Sequence, residues 1–274
     1  MFEKLKGLQY GARIRLYQNN QRQTLDIGGK KVGLLRAGQG EPLVYLSSIL
    51  GENVWLPFHQ GLARDFEVIA PDRLDDDDGT ADWDDISFHY LDILDALELD
   101  RVHLVGVSHG GWEAAEFAVR YGHRVSKLVL ANAFGLWIDD SPVFEFWKHC
   151  EEPHKLRELM LERPESFLGE LLFADNAGSN RLDSIIRGTA GITRQGPTTQ
   201  FYDPKLLSRL DRIKSPTLVL WGAADKVLPR PYALTFHQAV ENSLLHLIEN
   251  CGHLAMFEQE ARFVSAVSHF LKTV

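Results

Sequence analysis

The run Val102-His-Leu-Val-Gly106-Val-Ser108-His-Gly110-Gly-Trp-Glu-Ala-Ala-Glu-Phe-Ala118 constrains this chain more than any other stretch of it. An apolar, β-rich segment runs into a serine with glycines on both sides. A helical pattern follows, in which Trp112, Ala115, Ala118 and Val119 share one side. The spacing Gly106-x-Ser108-x-Gly110 is that of a nucleophile elbow, a sharp turn from strand to helix. A serine at such a turn takes a strained backbone, and neighbours without side chains let the chain fold tightly around it. Its hydroxyl then stands above the edge of a sheet. The N–H groups and the positive dipole end of the following helix point to where an oxyanion would develop.

The rest of the chain alternates strand-like and helix-like runs, the pattern of a mostly parallel sheet covered on both faces. Thr24 to Ile27 and Lys31 to Arg36, separated by Gly28-Gly29, read as an opening hairpin. Strands are expected at Pro42 to Leu46, Phe66 to Ala70, Val102 to Val107, Lys127 to Ala131, Thr217 to Trp221 and Leu244 to Ile248. Helices are expected at Ile86 to Leu97, after the elbow, near Pro231 to Val240 and from Glu258 to Leu271. Between about Asn132 and Ser215 the pattern is helical and rich in apolar side chains, with no convincing strand. An all-helical insertion in an alternating scaffold is most simply a cap over the sheet's active edge. The expected division is an N-terminal extension at 1–22, a core at 23–133 and 206–274, and a helical cap at 134–205.

Composition narrows the partners. With 38 acidic and 29 basic side chains, the formal charge of −9 argues against a nucleic acid or an anionic membrane. No stretch approaches the roughly 18 consecutive apolar residues of a membrane span. The first ten residues lack the apolar core of a signal peptide. The two cysteines, Cys150 and Cys251, make no disulfide framework, so a reducing cytoplasm is the default expectation. Cys251 lies two positions from His253, but in a tight glycine-containing turn a packing role is favoured. The expected partner is a small molecule, no cofactor or metal is implied, and oligomeric state, a homodimer included, stays open.

A serine hydroxyl needs a general base, usually histidine, which needs a carboxylate to fix its tautomer. Both should lie on loops after later strands, in the order acid and then histidine. The strand ending at Trp221 runs into Gly222-Ala-Ala-Asp225-Lys-Val-Leu-Pro229, and the one ending at Ile248 runs into Glu249-Asn-Cys-Gly-His253. Each required residue type stands just past the end of a strand.

On these three motifs, Gly106-Val-Ser108-His-Gly110, Trp221-Gly-Ala-Ala-Asp225 and Cys251-Gly-His253-Leu with Glu258 behind it, the chain resembles α/β-hydrolase fold proteins. The likeness runs from about Gly28 to the last helix. It implies Ser108 as nucleophile, His253 as general acid and base, and Asp225 as its orienting acid. His109 follows the nucleophile directly, so its backbone N–H is the expected oxyanion donor and its imidazole a candidate pocket wall. The second donor normally comes from the loop after the third strand, where relatives often carry His-Gly. Here the loop reads Ser47-Ser48-Ile49, so Ile49 is the expected source and Ser48 the less favoured one. That departure leaves open a retuned hole or weakened hydrolysis. After Ala70, relatives often carry Asp-x-Arg-Gly-x-Gly, whereas this chain has Asp72-Arg73-Leu74 followed by the acidic run Asp75 to Asp78. Hard cations favour such oxygens, but Leu74 breaks the calcium-loop spacing and a solvated surface loop is favoured.

The resemblance implies attack on an ester, thioester or amide carbonyl through an acyl-enzyme, and the aromatic and aliphatic residues of the cap suggest a largely apolar substrate of modest size, with Ser48, Phe134 and Trp137 as candidate substrate-binding residues. Three other readings compete. One is hydrolysis of a carbon-carbon bond in a diketone-like substrate. The second is a cofactor-free ring-cleaving dioxygenase, suggested by Ser108-His-Gly-Gly-Trp112 and weakened because Asn132 stands where such relatives place an acid. The third is a non-catalytic receptor on the same scaffold.

Overall fold

The computed structural model describes residues 2–17, 21–48, 50, 54–74, 81–149, 152–173 and 201–273. Its centre is an eight-stranded sheet in the order β1-β2-β4-β3-β5-β6-β7-β8. The strands are β1 (Arg22–Ile27), β2 (Lys30–Ala37), β3 (Pro42–Leu46), β4 (Glu67–Pro71), β5 (Val102–Val107), β6 (Val125–Ala131), β7 (Thr217–Gly222) and β8 (Ser243–Ile248). β2 runs antiparallel to both β1 and β4, and every other pairing is parallel. This is the expected α/β architecture, hairpin included. Gly28 and Gly29 turn that hairpin at φ 58° and 87°, a region open to glycine.

The interior strands explain why the sequence reads as continuous apolar runs. Every residue of β5 and of β7 is buried, because a parallel strand between two helical layers has no solvent face. The helices are α1 (Phe2–Tyr17), α2 (Pro57–Leu62), α3 (Trp83–Ala96), α4 (His109–Tyr121), α5 (Pro153–Met160), α6 (Phe167–Leu172), α7 (Arg230–Ala239), α8 (Ala255–Glu258) and α9 (Glu260–Thr273). Asp82 starts α3 as an N-cap, accepting from the N–H groups of Asp84 and Asp85 at 2.8 and 3.0 Å.

Two elements depart from expectation. The helix after the elbow is buried on nearly all sides from His109 to Ala118, not along one stripe. It packs on β5 and β6 beneath and is covered by α3 and by the short 3-10 helix Leu207–Arg212. The first seventeen residues, which match no motif, contain α1, which packs on α2 and α6 and is tied by Arg13 to Glu260 through a hydrogen bond of 3.0 Å. Among the described residues between β6 and β7, the elements are a 3-10 turn at Phe146–His149, α5, α6, the 3-10 helix and a single bridge from Gly135 to Tyr202. No helix of the described residues is long and apolar enough to cross a membrane.

Candidate active site

Ser108 sits between β5 and α4 with φ 56° and ψ −118°, a left-handed backbone for a residue with a side chain. The surroundings hold it there. Its N–H donates to the Ala131 carbonyl at 2.8 Å, and its own carbonyl accepts from Gly111 and Phe134 at 3.0 and 3.1 Å. The glycines are required by proximity, not by dihedral angle. A Cβ on Gly106 would stand 2.2 Å from the Gly110 carbonyl oxygen, and one on Gly110 would stand 2.3 Å from that of Leu46.

The loops after β5, β7 and β8 converge at one sheet edge. The Ser108 hydroxyl lies 2.9 Å from His253 Nε2, and His253 Nδ1 lies 2.8 Å from Asp225 Oδ2. Ser108 and His253 are fully buried and Asp225 nearly so. The other carboxylate oxygen, Oδ1, accepts the N–H groups of Val227 and Leu228 at 2.8 and 2.9 Å. An ionised carboxylate held this way accepts only, so it selects the His253 tautomer with hydrogen on Nδ1 and leaves the Nε2 lone pair facing the hydroxyl.

Asn132, the first residue beyond β6, donates its amide N–H to Asp225 Oδ2 at 2.7 Å. An acid at that position would set two carboxylates against each other, so the neutral amide is the group that fits beside an ionised Asp225. The sequence reading noted Asn132 as a missing acid; its position at the same sheet edge as the other loop residues was the available sign of its role as a donor.

The remaining candidate residues divide. Phe134 is buried, with its ring centroid 5.4 Å from that of His253, and it packs on Phe146 and Phe201. Ser48 is buried, and its hydroxyl accepts the Leu50 N–H at 3.2 Å. Trp137 is 41% exposed, packs beside Tyr202 and donates its indole N–H to Asp139 at 3.0 Å. Ile49 and the acidic run Asp75 to Asp78 lie outside the described residues. His109 opens α4, so its backbone N–H is one of the first-turn donors without an intrahelical acceptor. Cys251 is buried, and burial raises its thiol pKa well above the ordinary value, which keeps it protonated and inert.

Sequence reasoning missed how the histidine loop is anchored. The His253 N–H donates to the Met160 carbonyl at the end of α5, at 2.9 Å. The Glu258 carboxylate accepts the N–H groups of Gly252, Glu162 and Arg163 at 2.6, 2.9 and 3.3 Å. Burial raises the pKa of Glu258, and these N–H donors act in the opposite sense. Replacement Glu258→Ala leaves three N–H groups without their acceptor. Steady-state kinetics should show kcat lower by about tenfold, and a thermal melt should show Tm lower by about 4 °C.

A family model described as the alpha/beta hydrolase family matches residues 49–266. A 2-hydroxy-6-oxo-2,4-heptadienoate hydrolase of Pseudomonas putida is 30% identical over 262 residues, covering 89% of this chain and 94% of its own. A 2-hydroxy-6-oxo-6-(2'-aminophenyl)hexa-2,4-dienoic acid hydrolase of Metapseudomonas resinovorans is 28% identical over 267 residues, covering 90% and 89%. The solved structure of a meta-cleavage product hydrolase from Pseudomonas fluorescens superposes with a TM-score of 0.72 at 21% identity, covering 91% of this chain and 97% of its own, a likeness of fold. With the family match spanning most of the chain, and the sheet order and the serine turn agreeing with it, this protein belongs to the alpha/beta hydrolase family.

Proposed function

We propose that this hydrolase cleaves a carbon-carbon bond beside a ketone in a small 2-hydroxy-6-oxo-dienoate, with Ser108, His253 and Asp225 as its catalytic triad. One observation carries the choice of bond: two relatives that match about nine-tenths of the chain are named for hydrolysing such compounds. Hydrolysis of an ester, the expectation drawn first from the elbow, is the weaker reading because no relative described above is named for it.

The chemistry suits the relay. Moving the substrate's enol proton from O2 to C5 gives a 2-oxo-3-ene, in which C5 can leave as a carbanion delocalised into the enone. Ser108 gives its proton to His253 Nε2 and attacks the C6 ketone, and the oxyanion is met by the His109 backbone N–H. The C5–C6 bond breaks, its electron pair delocalises from C5 through the enone onto O2, and the proton that His253 took from Ser108 is returned to that oxygen, which gives 2-hydroxypenta-2,4-dienoate. Water activated by His253 then cleaves the Ser108 ester and releases a carboxylic acid. Residues 134–205 serve as the cap in this proposal, with Phe134, Phe146 and Phe201 as an apolar wall beside His253.

Incubation with 2-hydroxy-6-oxohepta-2,4-dienoate should bleach its conjugated absorbance and yield acetate and 2-hydroxypenta-2,4-dienoate in equal amounts by chromatography. A kcat/KM of about 10⁴ M⁻¹s⁻¹ or more is expected, within the ordinary enzyme range. Rapid turnover of p-nitrophenyl butyrate with the dienoate left intact would return the protein to ester hydrolysis.

A further inference from the structure

A second histidine-carboxylate pair adjoins the nucleophile and takes no part in the relay. His109 and Glu113 stand one turn apart on α4, with Nδ1 3.1 Å from Oε1, and both are buried. Glu113 Oε2 accepts the Tyr90 hydroxyl at 2.7 Å, and the Arg73 guanidinium lies 3.3 Å from Oε1. Burial opposes ionisation of Glu113, but the charge of Arg73 and the bonds from His109 and Tyr90 outweigh it and hold the carboxyl at about 2. An ionised carboxylate only accepts, so the hydrogen of the His109 ring is on Nδ1. Burial lowers the imidazole pKa, Glu113 acts in the opposite direction, and the ring stays neutral. Its Nε2 therefore carries a lone pair, and this buried atom has no hydrogen-bond partner among the described residues.

Buried polar atoms are nearly always paired, and an orphan beside a reacting serine calls for a donor from outside the chain. Arg73 strengthens the link to the site. It donates to the carbonyls of Ser47 and Ser48 at 2.5 and 2.9 Å, and so joins the loop expected to complete the oxyanion hole to the same cluster.

We propose that His109 Nε2 accepts a hydrogen bond from the 2-hydroxyl of the substrate while Ser108 addresses its C6 ketone, making His109 the residue that selects 2-hydroxy substrates. This inference rests on the carbon-carbon reading. Adjacent residues have α-carbons about 3.8 Å apart, so the two side chains can serve two ends of one six-carbon unit. The bond has a chemical consequence. Accepting from O2–H raises electron density on that oxygen and, through the diene, on C5, the carbon that must gain a proton before its bond to C6 can break.

The test uses His109→Asn, whose amide N–H can replace Nδ1–H toward Glu113 but which has no atom at Nε2. Rates on 2-hydroxy-6-oxohepta-2,4-dienoate are divided by those on p-nitrophenyl butyrate, which has no hydroxyl donor. The ratio of kcat/KM values should fall about tenfold, the worth of one neutral hydrogen bond, and His109→Gln, whose oxygen reaches toward the Nε2 position, should recover part of it. A proportional fall on both substrates, or an unchanged ratio, overturns the assignment while leaving the carbon-carbon reading intact. Wild-type protein inert toward the dienoate removes that reading and this inference with it. A second measurement needs no change at His109: calorimetry on Ser108→Ala should give about tenfold tighter binding of the 2-hydroxy dienoate than of 6-oxohepta-2,4-dienoate. Equal affinities overturn the proposal.

Discussion

Ser108→Ala is expected to lower kcat by about 10⁴-fold or more while leaving the fold and substrate affinity in place. The hydroxyl is the only atom that the change removes. The backbone bonds from Ser108 N–H to Ala131 and from Phe134 and Gly111 to the Ser108 carbonyl all survive it. Turnover of the dienoate followed by absorbance, with the melting temperature as a control for folding, checks the result. A residual rate within tenfold of wild type would mean that another group delivers the nucleophile. The same variant should fail to react with a fluorophosphonate probe that labels the wild-type serine.

Asp225→Asn should cost nearly as much, on the order of 10³- to 10⁴-fold in kcat, for a different reason. The two N–H groups of Val227 and Leu228 point at Oδ1, so the introduced amide must place its oxygen there. Its NH2 then occupies the Oδ2 position, against the Asn132 NH2 and His253 Nδ1. Histidine can answer only by moving its own hydrogen to Nε2, where it faces the Ser108 hydroxyl and can no longer take its proton. The replacement is isosteric, so packing is preserved. Steady-state kinetics should show a loss in kcat with little change in KM. The double change Asp225→Asn with Asn132→Asp, which restores a carboxylate to the cluster from β6, should recover a measurable part of it.

The sheet and the converging loops were legible because each depends on local chemistry. Fully buried parallel strands leave continuous apolar runs, and a glycine-flanked serine between strand and helix has few other uses. Asp225 and His253, each just beyond a strand end, could be singled out by residue type and place, and the structure brings them into hydrogen-bond contact with each other and with Ser108. The Arg73, Tyr90 and Glu113 cluster was not found, since its members come from three separate elements and nothing in the sequence brings Arg73 near α4. Only the spacing of His109 and Glu113, one helical turn, could have given a sign. Helix α1 escaped notice because its apolar residues are spread around its circumference and define no stripe.

Because the main chain of His253 hangs from the carbonyl of Met160, and Glu258 clasps Gly252, Glu162 and Arg163 together, the end of α5 and the loop that carries His253 behave as one mechanical part. Swapping the α5 segment for one from a cousin enzyme, to borrow its selectivity, would therefore loosen the His253 loop unless residues 249–258 travel with it. Chimaeras divided between those two stretches should lose turnover even when they admit the new compound.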